Sequence, residues 1–196
     1  RVLHALAESG EQVLDLEGFA SHKGSLLGNL PGIEQPSQKR FETLIAEKLE
    51  QFDLSRPVYL EGESAKIGRV GLPLVLVSHL HKAPVIEVRA TESARLSFLL
   101  RDYAYLGDEP DALADKLGWL KELHGNAVIG RWQEWARTKE LSPLFEELML
   151  RHYDPHYERS QSNHFDQWPA RKVLETDDLS DAAIQQLAQQ VVALES

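Results

Sequence analysis

The sequence predicts an α/β fold in which a parallel sheet with crossover helices is followed by a large all-helical block. Three observations carry this reading. Short apolar runs alternate with helical periodicities up to residue 89. Two of those runs end in carboxylates. From residue 91 to residue 153 only helical periodicity is found.

Residues 2–9 read as the remainder of a helix, ended by Gly10 as a C-cap. Residues 12–18, QVLDLEG, are strand-like with Asp15 and Glu17 at the end. Residues 19–35 are rich in glycine and polar groups and read as a long loop of the functional or mobile kind. Ser37 is the expected N-cap of a helix whose apolar face holds Phe41, Leu44, Ile45, Leu49 and Phe52. Residues 57–60, PVYL, form a buried strand that discharges Glu61, Glu63, Ser64, Lys66 and Arg69 within a few residues, among Gly62, Gly68 and Gly71. Ligands of open α/β sheets bind outside the carboxyl ends of the strands, so residues 56–73 are the first place to look for a site. The plainer reading is a strand followed by a polar turn.

A helix is expected over residues 73–81 and a second buried strand over 83–89. Thr91 caps the first helix of the block, with Leu96, Leu99, Leu100, Tyr103 and Leu106 on one face. A second helix carries Leu113, Leu117 and Leu120 and is broken at Gly125-Asn126. A third carries Val128, Trp132, Trp135 and Ala136, and a fourth Leu144, Phe145 and Leu148. Residues 154–169, polar and aromatic, read as a loop. Residues 171–176 return a strand to the sheet, and Ser180 caps a last helix with Ile184, Leu187, Ala188, Val191 and Val192 inward. The domain reading is a core of residues 1–90 and 171–196 with a helical insertion or lid over 91–170.

With 196 residues the chain suits one domain with an insertion, and it can bury a core without staples. It has no cysteine, which excludes disulfides, thiolate nucleophiles and cysteine–zinc sites. A formal charge of −10 argues against a generic nucleic-acid coat but leaves room for a local basic groove. No apolar run approaches the roughly 20 residues of a membrane span, and no signal peptide is visible. The chain begins with Arg1 in the middle of a helical pattern, which reads as an internal piece or an incompletely represented chain.

Acids at strand ends hold magnesium or orient a nucleophile in nucleotide-binding α/β domains, which makes Glu61 and Glu63 catalytic candidates and Asp15 and Glu17 metal-orienting ones. The alternative is that they cap neighbouring helices or pair with cations. In His22-Lys23-Gly24-Ser25 the lysine and serine can hold an anion that glycine lets approach, although no G-x-x-x-x-G-K-[ST] loop occurs in the chain. Ser64, Lys66 and Arg69 are further candidates for gripping a diphosphate or an RNA phosphate, and otherwise neutralise the nearby acids. Arg95 and Arg101 sit on the first helix of the block, where a lid could bring them onto phosphates. The eight histidines show no metal spacing. His156, Tyr157 and Arg159 are candidates for stacking on exposed bases, and otherwise cap the helical block.

The segments DLEGFASHKGS, QPSQKRFE, VYLEGES-AKIG-VGLP and YDPHYERS, taken together and in this order, resemble the P-loop-type domain of bacterial tRNA 2-selenouridine synthases. The resemblance implies a P-loop-NTPase-like fold and a cytoplasmic enzyme. Such enzymes replace the sulfur of wobble 2-thiouridine in tRNA by selenium from selenophosphate, through an S-geranyl intermediate made from geranyl diphosphate. It implies tRNA and a rhodanese-like domain of the same complete protein as partners, with no membrane. No cofactor is certain, and magnesium and a nucleotide are candidates. The family's catalytic cysteine lies in the rhodanese half and its phosphate loop should end just before Arg1, so this chain alone is expected to be inactive in selenium transfer. Two rival readings stay open. One is a P-loop-type small-molecule or nucleotide kinase, and the other a non-catalytic tRNA-docking module.

Overall fold

A computed structural model describes residues 1–62 and 64–194. The fold is mixed α/β, and the chain divides into two compact units, Arg1–Arg89 with Ser160–Ser196, and Ala90–Arg159.

Helix α1 (Val2–Glu8) buries Ala5 and Leu6. It stops at Gly10, whose φ of 87° lets Gly10 N–H reach Ala7 O at 3.0 Å and Glu11 N–H reach Leu6 O at 3.0 Å. These paired bonds satisfy two carbonyls that the helix end would leave orphaned. Strand β1 (Gln12–Leu14) is shorter than the expected 12–18, because Asp15 already caps helix α2 (Leu16–Ala20). Its side chain accepts from Gly18 N–H at 2.7 Å, and that bond competes with a further rung of strand.

Helix α3 (Gln38–Leu49) starts at Ser37, whose hydroxyl accepts from Arg40 N–H at 3.3 Å, and buries Phe41 and Ile45. Strand β2 (Val58–Leu60) runs parallel to β1 in the register Gln12 to Val58, Val13 to Tyr59 and Leu14 to Leu60. The stretch read as a polar turn holds a hairpin of β3 (Lys66–Ile67) and β4 (Val70–Gly71), antiparallel around Gly68 at φ 55°. Helix α4 (Leu74–Lys82) and strand β5 (Ile86–Ala90) follow.

In the second unit Thr91 caps α5 (Glu92–Asp102), accepting from Ala94 N–H at 3.4 Å. A 3-10 turn (Ala104–Asp108) leads into α6 (Pro110–Gly118) and α7 (Lys121–Arg137), the latter interrupted at Gly125, where φ is 77°. Helix α8 (Leu141–Leu148) lies against α5 and α7, and α6 lies against α7. Leu113, Leu117, Trp132, Leu144 and Leu148 are buried on these elements.

The chain then continues through a π turn (Met149–Tyr153) into α9 (Asp154–His164). This corrects the loop expected over 154–169. Residues 156–164 contain no glycine, and Glu158, Arg159 and Gln161 favour helix. Pro155 supplies no N–H, and the wide turn before it carries the chain past that missing bond. From Ser160 onward the chain belongs to the first unit.

Strand β6 (Lys172–Thr176) pairs with β5. Ser180 caps α10 (Asp181–Ala193), which packs on α1 through Ile184, Leu187, Ala188 and Val191. Among the described residues the strands form three two-stranded sheets, not the one continuous parallel sheet expected. The first unit's core gathers Leu14, Leu16, Phe41, Ile45, Ile67, Val70, Leu72, Leu80, Phe165 and Trp168.

Candidate functional site

The parallel register brings two acids to one level. Leu14 faces Leu60, and the next residues are Asp15 and Glu61. Glu61 turns onto the first turn of α2, accepting from Leu16 N–H at 3.0 Å and from Glu17 N–H at 3.4 Å. Asp15 caps the same helix with one carboxylate oxygen and meets His4 Nε2 with the other at 3.1 Å. A Cβ at Gly18 would stand 2.4 Å from Asp15 Oδ2, so a side chain there would displace the cap.

Burial raises the Glu61 pKa to about 8, helped by a side-chain hydrogen bond to Asp15 and its charge, and opposed by backbone donors. At neutral pH Glu61 therefore holds its proton. Among the described residues no group of three histidine, aspartate or glutamate side chains is arranged to hold a metal ion. Glu17 lies half-buried in the first turn of α2, and its backbone is what meets Glu61. Glu63 lies outside the described residues.

Lys66 and Arg69 are both exposed, one on β3 and the other in the turn of the hairpin. Ser64 donates its hydroxyl to Lys66 O at 2.8 Å, so it braces the hairpin backbone. Gln35, from the segment before α3, and Gln38, its first residue, hold the hairpin in turn. Gln35 donates to Ala20 O at 3.0 Å and Ile67 O at 3.1 Å, and accepts from Arg69 N–H at 2.8 Å. The Arg69 guanidinium donates to Gln35 O. Gln38 donates to Gly71 O and accepts from Gly71 N–H, each at 2.8 Å.

Helix α2 thus joins the two groups. Glu61 meets its first turn, and Gln35 ties the hairpin to its last residue, Ala20. At 1.5 Å rise per residue its ends lie roughly 6–8 Å apart.

Lys23 and Ser25 follow α2 in a tight loop closed by Lys23 N–H to Gly28 O at 2.8 Å and Gly28 N–H to Ser25 O at 2.9 Å. Both are half-buried, and His22 beneath them is buried.

His156, Tyr157 and Arg159 lie exposed on α9, in the helical unit. His156 Nδ1 is 2.7 Å from His152 O, and His152 Nδ1 is 3.2 Å from His124 Nε2. Desolvation, then His156 and His124, push the His152 pKa down to about 4. The His124 pKa is lowered by desolvation and by the charges of His156 and Arg151. Arg95 is engaged in a bidentate pair with Asp154.

Sequence reasoning missed His4, Gln35, Gln38 and Gln161. Gln161 is buried and donates to Gly62 O at 2.9 Å, fixing the chain just after Glu61. The Q-P-S-Q run was a visible signal for the first two glutamines. Nothing local marks the bonds of His4 and Gln161, which join residues far apart in the chain.

Residues 1–119 match a family model described as the tRNA 2-selenouridine synthase AAA domain. The chain is 39% identical over 106 residues to a tRNA 2-selenouridine synthase of Nitrosomonas europaea, covering 53% of this chain and 27% of that protein. It is 30% identical over 179 residues to the one of Chromohalobacter salexigens, covering 78% and 48%. It is 29% identical over 176 residues to the one of Shewanella halifaxensis, covering 76% and 48%. The chain spans about a quarter to a half of the length of these relatives. No solved structure matches it. No helix among the described residues is long and apolar enough to cross a membrane.

Proposed function

This chain belongs to the tRNA 2-selenouridine synthase family, and from that premise we propose that it is the phosphate- and tRNA-handling part of a cytoplasmic enzyme that converts wobble 2-thiouridine to 2-selenouridine. The complete enzyme includes a rhodanese-like domain, and this chain alone is inactive in selenium transfer.

In the first step the thiouridine sulfur attacks the allylic carbon of geranyl diphosphate. The carbon–sulfur bond forms, the carbon–oxygen bond breaks, and diphosphate leaves with the electron pair. Lys66 and Arg69, with Lys23 and Ser25, stabilise that leaving charge, as fixed cations and donors do in a transition state. Glu61 gives its proton to the departing diphosphate, and the proton lost by the thiouridine restores Glu61. In the second step the selenium of selenophosphate attacks the ring carbon and the geranylated sulfur leaves as the thiolate; water then attacks the phosphorus, the P–Se bond breaks, phosphate departs, and the selenium stays on the ring. His156, Tyr157 and Arg159 supply stacking and phosphate contacts to the tRNA.

The observation that carries this reading is the linkage through α2 of Glu61, a carboxyl whose pKa burial raises, to an exposed cationic hairpin. It supports transfer from a diphosphate over tRNA docking alone, because a docking surface has no use for a buried carboxyl that keeps its proton. The test is charge reversal of Lys66 and Arg69 together in the complete enzyme. Geranylation of 2-thiouridine tRNA is expected to be abolished with tRNA binding largely retained. Unchanged turnover removes the hairpin from the site.

A further inference from the structure

Gln35 stands between the cationic hairpin and α2. A glutamine amide offers two N–H donors and one carbonyl acceptor. Both donors of Gln35 are used, on Ala20 O at 3.0 Å and Ile67 O at 3.1 Å, and its acceptor takes Arg69 N–H at 2.8 Å. Its own main-chain oxygen accepts from the Arg69 guanidinium. One residue therefore fixes Arg69 at backbone and side chain, and refers both to the helix that Glu61 caps.

The turn is shaped for this contact. Gly68 has φ 55°, and a Cβ there would stand 2.2 Å from Gln35 Oε1. A side chain at 68 would strain the backbone and drive the amide away. Gln38, by contrast, bonds the backbone of Gly71 at the base of the hairpin and also Glu42, at 2.7 Å. It steadies the hairpin without touching the turn that carries Arg69.

We propose that Gln35 is a positioning residue, holding the Arg69 guanidinium and backbone in the one arrangement that meets a diphosphate. This rests on the reading of the hairpin as the phosphate grip. Preorganisation of this kind lowers the ordering cost of binding, so its loss appears as weaker anion affinity.

The experiment measures inorganic pyrophosphate binding by calorimetry on the complete protein, with thermal midpoints in parallel. It compares wild type with Arg69→Ala, Gln35→Met and the double variant. Each single change is expected to weaken pyrophosphate by about tenfold, and the double variant by no more than Arg69→Ala alone, because Gln35 acts through Arg69. A merely structural glutamine would give losses that multiply. Losses that multiply, or a weakened Arg69→Ala beside an unchanged Gln35→Met, overturn the positioning role and leave the phosphate reading standing. An unchanged Arg69→Ala overturns both. If Gln35→Met does not fold, Gly68→Ala attacks the same contact from the other side. Its weakened binding, not deepened by Arg69→Ala, supports the role, and unchanged binding overturns it.

Discussion

Glu61 and Asp15 leave neighbouring parallel strands at the same level, and Glu61, its pKa raised by burial, accepts from the first two N–H groups of α2. Each acid caps a helix turn and at the same time perturbs the other. Capping and chemistry are commonly treated as rival explanations of a strand-end carboxylate, and the proposed chemistry would use the same geometry that caps α2.

Titration of Glu61 gives stability a definite pH dependence. Its pKa rises from an ordinary 4.5 to about 8 on folding, so within that window the folded chain holds a proton that the unfolded chain has released. The stabilisation is full below about pH 4.5 and is lost as pH rises towards 8. Glu61→Gln, which cannot ionise, is expected to flatten this decline. Urea midpoints of both proteins at pH 5, 7 and 9 check it, and equal slopes would exclude a raised Glu61 pKa.

His152 works in the opposite direction and in the other unit. Its pKa falls to about 4 from 6.5, so the unfolded chain takes up a proton that the folded one refuses. The stability from this site is present above about pH 6.5 and is lost as pH falls towards 4. His152→Gln should lessen acid sensitivity of the helical unit. Thermal midpoints at pH 4.5 and 7 for both proteins measure it, and identical acid shifts would refute it.

The buried indole of Trp132 donates to Glu147 at 2.8 Å, and Arg131 donates to both oxygens of the same carboxylate, at 2.9 and 2.6 Å. Glu147→Ala leaves that indole N–H without its acceptor and should cost about 1–3 kcal/mol. Glu147→Gln keeps an acceptor for the indole and should cost less. Chemical denaturation ranks the two, and a reversed order would remove the indole bond as the cause.

What was legible in the sequence was local. Ser37, Thr91 and Ser180 each cap the helix predicted to follow, because the cap bond reaches only three residues along the chain. Gly10 and Gly125 likewise mark where helical geometry ends, each at positive φ. The hairpin escaped because strands of two residues leave no alternation to read. Helix α9 escaped because its polar sequence lacks an apolar stripe. At the candidate site the acids after β1 and β2 were visible as types, but their side-by-side placement depends on register. The roles of Gln35 and Gln161 depend on bonds across 34 and 99 residues, which no window of sequence spans.

The amide of Gln38 lies along Gly71 as the backbone of a third strand would, taking its N–H and capping its carbonyl. A two-residue hairpin ordinarily exposes a rung onto which a strand of another molecule can add. Here that rung is filled from within the chain. The cations of the hairpin can thus stay in solvent without the hairpin becoming a seed for self-association.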